Sequence, residues 1–416
     1  MKIAIVGAGI VGVTTAWELA CDGHEVTVFE RRGAAAEESS FATAGLVSPG
    51  TAAPWGGPAL RATVLPALLS SKGRIDGRWP LALRDLRWLG QWRKASRLET
   101  YVANRTRMQR LAAYSQTRLR EIRETRELDY ERGDGCLVLL RSKRDRKAAE
   151  VGLDVLRDTG TVFREIDADE ARSVETALST DTPLLGAIYL PNDEVANCRQ
   201  FALLLRREAE AAGARFYFGC DIAPLSRAEP RALSLAGGSE SHPFDAVVVC
   251  TGAASAPLVR PLGLRLPLAS VHGYAISANV REPVNAPRSA VVDARHQVAI
   301  ARLGMRVRVS GGAEIGGSPA VLNPAALQKL YKVLHSWFPG AATLQAGVQQ
   351  WKSARPMLPD GPPVIGASGI PGVWLNLGHG DHGWAMACGS ARAVADLIGH
   401  REPGVDVEGL GIERLL

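Results

Sequence analysis

The stretch IAIVGAGIVG, residues 3–12, places a Gly-x-Gly-x-x-Gly motif directly after a short apolar run. A helical pattern follows from Val13, so the motif lies between a predicted strand and a predicted helix. In such a βαβ unit Gly7 allows a tight turn, Gly9 lets the backbone approach a pyrophosphate, and Gly12 permits close packing of the helix on the strand. The start of the helix offers free N–H groups and a positive dipole end to phosphates.

The match to a dinucleotide-binding unit extends beyond the glycines. The small, core, turn and strand positions of the unit are filled in order by Ala16, Leu19, Gly23 and Val26. Glu30, eighteen residues after the last glycine, is placed to accept both hydroxyls of an adenosine ribose and to repel a 2′-phosphate. The N-terminal segment therefore predicts a site for FAD or NAD.

Length and composition restrict the class of protein. A chain of 416 residues, 46% of them apolar, is long enough for a large core and favours two domains. No apolar stretch approaches the length of a spanning helix, and the N-terminal apolar run lacks the cleavage pattern of a signal peptide. The six cysteines are scattered without a Cys-x-x-Cys pair, which indicates neither a metal site nor a disulfide framework. We therefore expect a cytoplasmic protein.

Positive charge is concentrated in the segment from Arg61 to Arg132, which holds 17 Lys and Arg against 8 Asp and Glu. Trp79, Trp88 and Trp92 are interleaved with these charges. We favour a helical surface with solvated arginines and inward tryptophans. The alternative is a peripheral contact with anionic headgroups at the inner face of the membrane. Nucleic-acid binding is disfavoured because no recognised binding motif accompanies the charge.

The order of predicted elements indicates an α/β fold. A continuous apolar strand at 244–252 is typical of a sheet buried on both faces. It lies far downstream of the first nucleotide-binding strand, so the nucleotide domain is interrupted. Helices are predicted over 80–130, 145–158, 197–212 and 324–337, short strands over 266–350, and a strand, a glycine loop and a helix over 374–398.

Short motifs are distributed along nearly the whole chain. Besides the N-terminal glycines they are Ala44–Gly50 with Ala53–Trp55, Leu190–Glu194, Gly273–Tyr274, Arg355–Pro356 with Pro359–Gly361, Asn376–Gly380, and Gly383–Trp384 with Met386–Ser390. Each is weak alone, but together they resemble the large family of FAD-dependent D-amino acid oxidases and dehydrogenases. Within it, the pattern is most similar to the small subunits of bacterial D-amino acid dehydrogenases.

The resemblance implies a Rossmann-like FAD-binding domain of the glutathione-reductase-type ββα variant, interrupted by an α+β substrate domain with a mixed or antiparallel sheet. We expect the FAD-binding domain to comprise 1–55, 190–262 and 351–416, and the substrate-binding domain 56–189 and 263–350. The implied cofactor is noncovalently bound FAD. Covalent attachment through Cys388 or His379 is the alternative.

The resemblance also implies catalytic residues. An amino acid carboxylate calls for a bidentate arginine supported by a phenol. Arg355, held extended by the proline after it, matches the carboxylate-binding arginine of the family, and Tyr274 matches its carboxylate-binding tyrosine. His379 lies in the Gly-His-Gly loop that resembles the loop beside the isoalloxazine ring. The alternatives are a surface salt bridge for Arg355, core packing for Tyr274 and a structural role for His379.

Further residues are assigned to the cofactor by the same resemblance. The helix after Gly380 is expected to direct its positive dipole end towards the flavin, and Asp381 to cap that helix or contact the ring system. The expected cofactor contacts are Gly7, Gly9, Ile10, Val11, Gly12, Glu30, Arg31, Ser39, Ser40, Thr43, Ala44, Gly45, Thr251, Gly252, Gly378, Gly380, Asp381, His382 and Gly383.

Departures from the nearest pattern concern the substrate rather than the fold. Asp381-His382 replaces a threonine–leucine pair, Thr51 replaces a tyrosine, and His272 replaces a lysine. A second polar contact is expected from Arg302, for which a solvated arginine beside a hairpin turn is the alternative. The expected pocket residues are Ser48, Thr51, His272 and Arg302.

The family resemblance implies oxidation of a D-amino acid. The Cα hydride passes to flavin N5, the imine hydrolyses to a 2-oxo acid and ammonia, and the electrons go to a quinone or another acceptor. No general base is assigned, because none is needed if the amine enters neutral. The alternatives are a glycine, sarcosine or D-hydroxyproline oxidase or dehydrogenase on the same fold, an RNA-binding flavoprotein, and a noncatalytic flavin subunit.

Overall fold

The computed structural model describes residues 1–55, 57–58, 76–77, 83–316, 318 and 320–415. Two large sheets organise these residues. Part of the predicted basic segment, residues 61–75 and 78–82 with Trp79 among them, lies outside the described residues.

A six-stranded sheet contains the N-terminal motif. Its order is Val364–Ala367 (β17), Val373–Leu377 (β18), Ala246–Val249 (β11), Lys2–Val6 (β1), Glu25–Glu30 (β2) and Arg215–Phe218 (β8). Neighbouring strands are parallel except β17 and β18. Ile3 and Ile5 of β1 enter a core shared with the helices Ile10–Cys21 (α1) and Gly383–Ile398 (α9), while Ala4 and Val6 enter a core on the other face. Burial on both faces explains the continuous apolar runs of these strands.

A larger mixed sheet forms the rest of the frame. Its order is Gln349–Met357 (β16), Ala269–Asn279 (β12), Arg306–Ile315 (β15), Val298–Leu303 (β14), Ala290–Asp293 (β13), Arg132–Leu140 (β5), Gly186–Ala196 (β7) and Leu46–Val47 (β3), with Asp76–Gly77 (β4) beside β15 and Arg164–Asp167 (β6) beside β7. Its pairs are antiparallel except β13–β5 and β15–β4. The helix Pro324–Trp337 (α8) packs on one face through Leu330 and Trp337.

Helices cover both sheets. The others are Leu83–Ala95 (α2), Leu98–Thr125 (α3), Lys143–Asp158 (α4), Ala168–Val174 (α5), Cys198–Ala211 (α6) and Ser255–Val259 (α7), and Ala232–Leu233 (β9) pairs with His242–Pro243 (β10) as a separate ribbon. Arg118 of α3 binds the fully buried Glu18 of α1 at 2.7 and 2.9 Å. In the part of the chain with described structure, no helix combines the length and apolar character needed to cross a membrane.

The predicted fold class is confirmed, because strands from separated parts of the chain form one largely parallel sheet and a mixed sheet accompanies it. The helix predicted at 324–337 is observed at those residues, whereas the strand predicted at 244–252 is limited to Ala246–Val249. The division into two domains stays a prediction, and its boundaries at 190 and 351 lie inside β7 and β16 of the larger sheet.

Candidate active site

The turn between β1 and α1 brings glycines into close contact with neighbouring backbone. Gly7 has a φ of 101°, and a Cβ there would lie 2.7 Å from the carbonyl oxygen of Cys250. A Cβ on Gly12 would lie 1.8 Å from the carbonyl oxygen of Gly7, so α1 packs on the turn only because both residues lack side chains. The N–H of Ile10 donates to Ser40 Oγ at 3.1 Å, which holds the loop around Ser40 against the start of α1.

Glu30 ends β2 beside this turn. Its carboxylate oxygens accept the N–H groups of Ala8, at 2.7 Å, and Arg32, at 2.9 Å. These bonds fix an anionic acceptor where the βαβ unit is expected to bind ribose hydroxyls. The neighbouring Arg31, which was also expected at the cofactor, donates from Nε to Glu38 Oε1 at 2.9 Å.

A cavity of about 510 Å³ is lined by residues of both sheets and of the loops that connect them. Most of the predicted site residues line it, namely Gly7, Gly9, Ile10, Val11, Glu30, Arg31, Ser39, Ser40, Thr43, Ala44, Ser48, Thr51, Thr251, Gly252, Tyr274, Arg355, Gly378, His379, Gly380, Asp381, His382 and Gly383. Gly12, Gly45, His272 and Arg302 do not. The glycine-rich loops that are far apart in sequence thus meet around one space.

Arg355, on β16, lines this cavity and is partly buried. Its guanidinium lies over Gly273, where a Cβ would be only 2.2 Å from Nη2, and Nη1 donates to the carbonyl oxygen of Gly312 at 3.2 Å. Burial lowers the pKa of Arg355, and the Asp381 carboxylate opposes this effect through space. Within the described part of the chain, no carboxylate forms a direct ion pair with this guanidinium.

Tyr274 and Arg355 were expected to hold one carboxylate together, and the structure does not agree. The register of β12 and β16 pairs Tyr274 with Lys352 and Val271 with Arg355, so the two side chains lie on opposite faces of the sheet. The Tyr274 hydroxyl donates to Glu314 at 2.7 Å, and Lys352 pairs with the same carboxylate at 2.7 Å. The Tyr274 ring packs in the core beneath α8, as in the alternative interpretation.

His272 and Arg302, unlike Tyr274, do not line the cavity. His272 lies on the face of the sheet that Tyr274 occupies, and burial lowers the pKa of its imidazole. Arg302 donates from Nε to the carbonyl oxygen of Gly304 at 2.9 Å, in the hairpin between β14 and β15. The predicted substrate contacts of these two residues are therefore corrected, and Arg302 takes the hairpin position that was its alternative.

The imidazole of His379 is fixed to α9. Its Nε2 lies 3.0 Å from Ser390 Oγ, and the Ser390 hydroxyl donates to the carbonyl oxygen of Ala387. Nε2 is therefore the protonated ring nitrogen. Burial lowers the pKa of His379 to about 3, which keeps the ring neutral and favours the structural interpretation. Cys388, the other candidate for a covalent link, is buried in α9 and does not line the cavity.

Asp381 and His382 lie at the start of α9, in the wall of the cavity. His382 occupies the N-cap position and its side chain makes no capping hydrogen bond, so the cap predicted for Asp381 is not observed. His382 Nε2 lies 3.4 Å from the backbone nitrogen of Ala53 and 3.3 Å from Asp381 Oδ1. These contacts connect the loop after residue 51 with the surroundings of Arg355.

Asp193 is a buried acid for which the sequence alone predicts no role. The Ser48 hydroxyl donates to its Oδ2, which also accepts the N–H of Gly50 at 3.2 Å. Thr51 Oγ1 in turn donates to Ser48 Oγ at 2.9 Å. The motif Leu190–Glu194 was the available signal, but its contact with Ser48 depends on the pairing of β3 with β7, which a single sequence does not reveal.

The residues around the cavity fit the cofactor that the sequence implies. The start of α1 and the Glu30 carboxylate suit a diphosphate and a ribose. Gly252 and Gly380 line the cavity with φ of 53° and 59°, a backbone conformation that residues with side chains rarely adopt. Arg355 adds a cation to the same space, available for a substrate anion.

Comparison with known proteins agrees with this assignment. The family model described as FAD dependent oxidoreductase (DAO) matches residues 2–397. A D-amino acid dehydrogenase from Cereibacter sphaeroides is 41% identical over all of this chain and 95% of its own length, and one from Rhizorhabdus wittichii is 39% identical over the full length of both.

Solved structures show the same fold. Glycine oxidase from Geobacillus kaustophilus matches with a TM-score of 0.75 and 21% identity, covering 99% of this chain and 98% of that one. L-Proline dehydrogenase from P. horikoshii matches with a TM-score of 0.75 and 18% identity, covering 100% and 97%. Because the family model matches residues 2–397 of its 416 residues, this chain belongs to the family of FAD-dependent oxidoreductases, and FAD is its cofactor.

Proposed function

We propose that this protein oxidises D-amino acids at Cα, giving a 2-oxo acid and ammonia, and that Arg355 binds the substrate carboxylate. The observation that carries the proposal is a partly buried guanidinium in the cavity wall, whose pKa is lowered by desolvation and which has no ion pair to any described residue. A buried charge is costly unless it is paired. A guanidinium binds a carboxylate through two parallel hydrogen bonds, so a substrate carboxylate supplies the partner.

Similarity supports D-amino acids as the substrates. Proteins named D-amino acid dehydrogenase from Cereibacter sphaeroides, Rhizorhabdus wittichii and Rhizobium johnstonii are 37–41% identical along the whole of this chain. The same names favour a dehydrogenase over an oxidase. Oxidation of glycine, sarcosine or D-hydroxyproline on the same fold remains the alternative that the experiment below distinguishes.

In the proposed reaction the protein binds and orients the substrate. When bound, FAD supplies the acceptor for the Cα hydride. Arg355 holds the carboxylate from one side, which limits the orientations of the Cα–H bond. The neutral His379 ring adds no positive charge to the cavity wall that also contains Arg355. Hydrolysis of the product imine requires only water.

We further propose that the electrons pass to a quinone at the inner face of a membrane. The support is helix α2, on which Leu83 and Leu86 are exposed beside the exposed Arg87 and Lys94, while Trp88 and Trp92 are buried. Exposed apolar and basic side chains on one helix favour an anionic lipid surface. Sedimentation with anionic vesicles, compared for the unaltered protein and an Arg87→Glu/Lys94→Glu variant, tests the proposed contact with the membrane.

The first experiment is anaerobic reduction of the purified FAD protein, followed by loss of its visible absorption. D-amino acids, L-amino acids, glycine, sarcosine and hydroxyproline isomers are supplied separately. We expect reduction by D-amino acids, and a loss on the order of a hundredfold in kcat/KM for Arg355→Ala because a charge-paired hydrogen bond is removed.

Arg302→Ala is the matched control, since this arginine lies in a nearby hairpin outside the cavity. It should keep both FAD content and kcat/KM. Reduction only by glycine, sarcosine or hydroxyproline would transfer the assignment to the alternative substrates. Equal kcat/KM in Arg355→Ala and the unaltered protein would contradict the proposed role of Arg355.

A further inference from the structure

A chain of hydrogen bonds leads from the cavity to a buried carboxylate. Ser48 and Thr51 line the cavity, and Asp193 lies behind them with only 3% of its surface exposed. Thr51 Oγ1 donates to Ser48 Oγ at 2.9 Å, and the Ser48 hydroxyl donates to Asp193 Oδ2. Both hydroxyls thus donate in the same direction, away from the cavity.

The direction of these bonds makes Thr51 an acceptor on its cavity side. Its single hydroxyl hydrogen is directed to Ser48, where it is shared between Oγ and the backbone carbonyl oxygen at 3.2 Å. The lone pairs of Thr51 Oγ1 therefore remain to accept a hydrogen bond. A group with an N–H is the complement of such an oxygen, and the ammonium of an amino acid has three.

An amino acid needs to lose one ammonium proton before it is oxidised. At neutral pH its amine is protonated, and the nitrogen lone pair that forms the C=N bond becomes available only after deprotonation. His379 is a poor acceptor for this proton, because burial holds its pKa at about 3. Asp381 lines the cavity but is half-exposed and interacts with Arg355.

We propose that Thr51, Ser48 and Asp193 form a relay that removes one proton from the substrate ammonium, an inference that rests on the proposed amino acid oxidation. The ammonium proton moves to Thr51 Oγ1, the Thr51 proton to Ser48 Oγ, and the Ser48 proton to Asp193 Oδ2. The substrate becomes a neutral amine and Asp193 a carboxylic acid. No electrons move in this step.

The surroundings of Asp193 suit a proton acceptor. Burial raises the pKa of Asp193 to about 6, against the opposing hydrogen bonds from Ser48 and Gly50. The charged and titratable groups that face it are Arg120 of α3, which favours the carboxylate, Glu194 of β7, which disfavours it, and the Cys136 thiol of β5. The group is therefore ionised at neutral pH, yet more basic than an ordinary aspartate.

A purely structural role for Asp193 is separable from the relay. Its bond to the Gly50 N–H stabilises the 3-10 turn Pro49–Thr51. This turn is closely packed, because a Cβ on Gly50 would be only 2.5 Å from Leu190. Replacing Asp193 can therefore disturb this turn. Thr51 makes no bond to Gly50 in the structure, so Thr51→Val interrupts the relay and leaves the contact of Asp193 with the turn in place.

The test is the pH profile of anaerobic FAD reduction by a D-amino acid. For Thr51→Val and Asp193→Asn we expect the acid limb to move to higher pH, the reduction rate near neutral pH to fall at least tenfold, and the rate to approach that of the unaltered protein where the free amine is neutral. Thr51→Ser keeps the hydroxyl and should keep the original profile. Thr117→Val, on the exposed face of α3, is the control for loss of a threonine hydroxyl.

An unchanged profile in Thr51→Val would overturn the relay, even if Asp193→Asn does not fold. A shift of the limb in Asp381→Asn but not in Thr51→Val would also overturn it, in favour of direct proton transfer to Asp381. Failure of every amino acid to reduce the unaltered protein would instead overturn the proposed function, and the relay with it.

Discussion

The guanidinium of Arg355 lies over the Cα of Gly273, where any side chain would collide with it. We predict that Gly273→Ala displaces the guanidinium and weakens substrate binding, with KM for a D-amino acid rising at least about tenfold because bidentate geometry is lost. FAD content should stay unchanged, since the added Cβ meets the Arg355 side chain and not Glu30 or the start of α1. Steady-state kinetics and the flavin spectrum measure both effects.

Gly90→Ala is the matched control for this substitution. Gly90 lies in α2 and a Cβ there would meet nothing within 4 Å. This variant should keep its KM. An unchanged KM in Gly273→Ala would show that the arginine has other positions from which it binds the carboxylate.

His379 gives a pH-dependent prediction. Burial lowers its pKa from 6.5 to about 3 in the folded protein. Between these two values the unfolded chain binds a proton that the folded chain does not, so the free energy of unfolding falls as pH decreases, by at most about 1.4 kcal/mol per pH unit. In His379→Gln this contribution is absent, and urea unfolding between about pH 6 and pH 4 should show a weaker loss of stability.

His335→Gln is the control for the loss of a histidine, because His335 is exposed in the last turn of α8. It should follow the unaltered protein at every pH. Parallel pH dependence in His379→Gln and the unaltered protein would contradict a neutral, buried His379.

At the level of elements, sequence patterns predicted helices and buried strands better than the faces of the larger sheet. The helix predicted at 324–337 forms at those residues, with the Asn323 side chain accepting the N–H of Ala325 and an apolar stripe packed on the larger sheet. Tyr274 and Gly273 are adjacent, and only the register against β16 determines which of them faces Arg355. A bulge between His272 and Tyr274 further alters the pairing with β15, so alternation alone was insufficient there.

The pair of Glu314 and Lys352 joins strands β15 and β16 on the face away from Arg355. Both side chains are buried, with 1% and 3% of their surface exposed. We predict that Lys352→Met lowers the free energy of unfolding by about 3–5 kcal/mol, because it removes the cation of a buried ion pair. Adding Glu314→Gln should recover part of this loss, since the amide oxygen still accepts the Tyr274 hydroxyl.

The same variants test the position of Tyr274. Because its hydroxyl bonds to Glu314 on the face opposite Arg355, the folded double variant should keep KM within about twofold of the unaltered value. Arg146→Met, which breaks an exposed pair with Glu165, is the control and should cost less than about 1 kcal/mol. A large rise in KM in the double variant would return Tyr274 to the substrate site.

For the whole molecule, the cavity depends on segments that are distant in sequence. The N-terminal fingerprint predicted its nucleotide end, where Gly7 and Gly12 each have a local steric reason to lack a side chain. The residues at the substrate end were predicted from the family resemblance. Of these, Arg355 faces the cavity, while Tyr274, His272 and Arg302 make other contacts. Asp193 was missed because its contact with Ser48 forms only when β3 and β7 pair.

Because residues from Val6 to Ala385 line one cavity, FAD binding should stabilise the molecule as a whole. A ligand that binds only the folded state at a hundredfold excess over its Kd adds about 2.7 kcal/mol to the free energy of unfolding.

We predict that the Tm of cofactor-depleted protein rises with FAD concentration. Glu30→Gln should need at least about tenfold more FAD for the same rise, because hydrogen bonds to a charged acceptor are lost. Glu121→Gln, on the exposed side of α3, should match the unaltered protein. If Glu30→Gln also matched it, Glu30 would not be the ribose acceptor, and the cavity would bind its cofactor through the start of α1 and the surrounding loops alone.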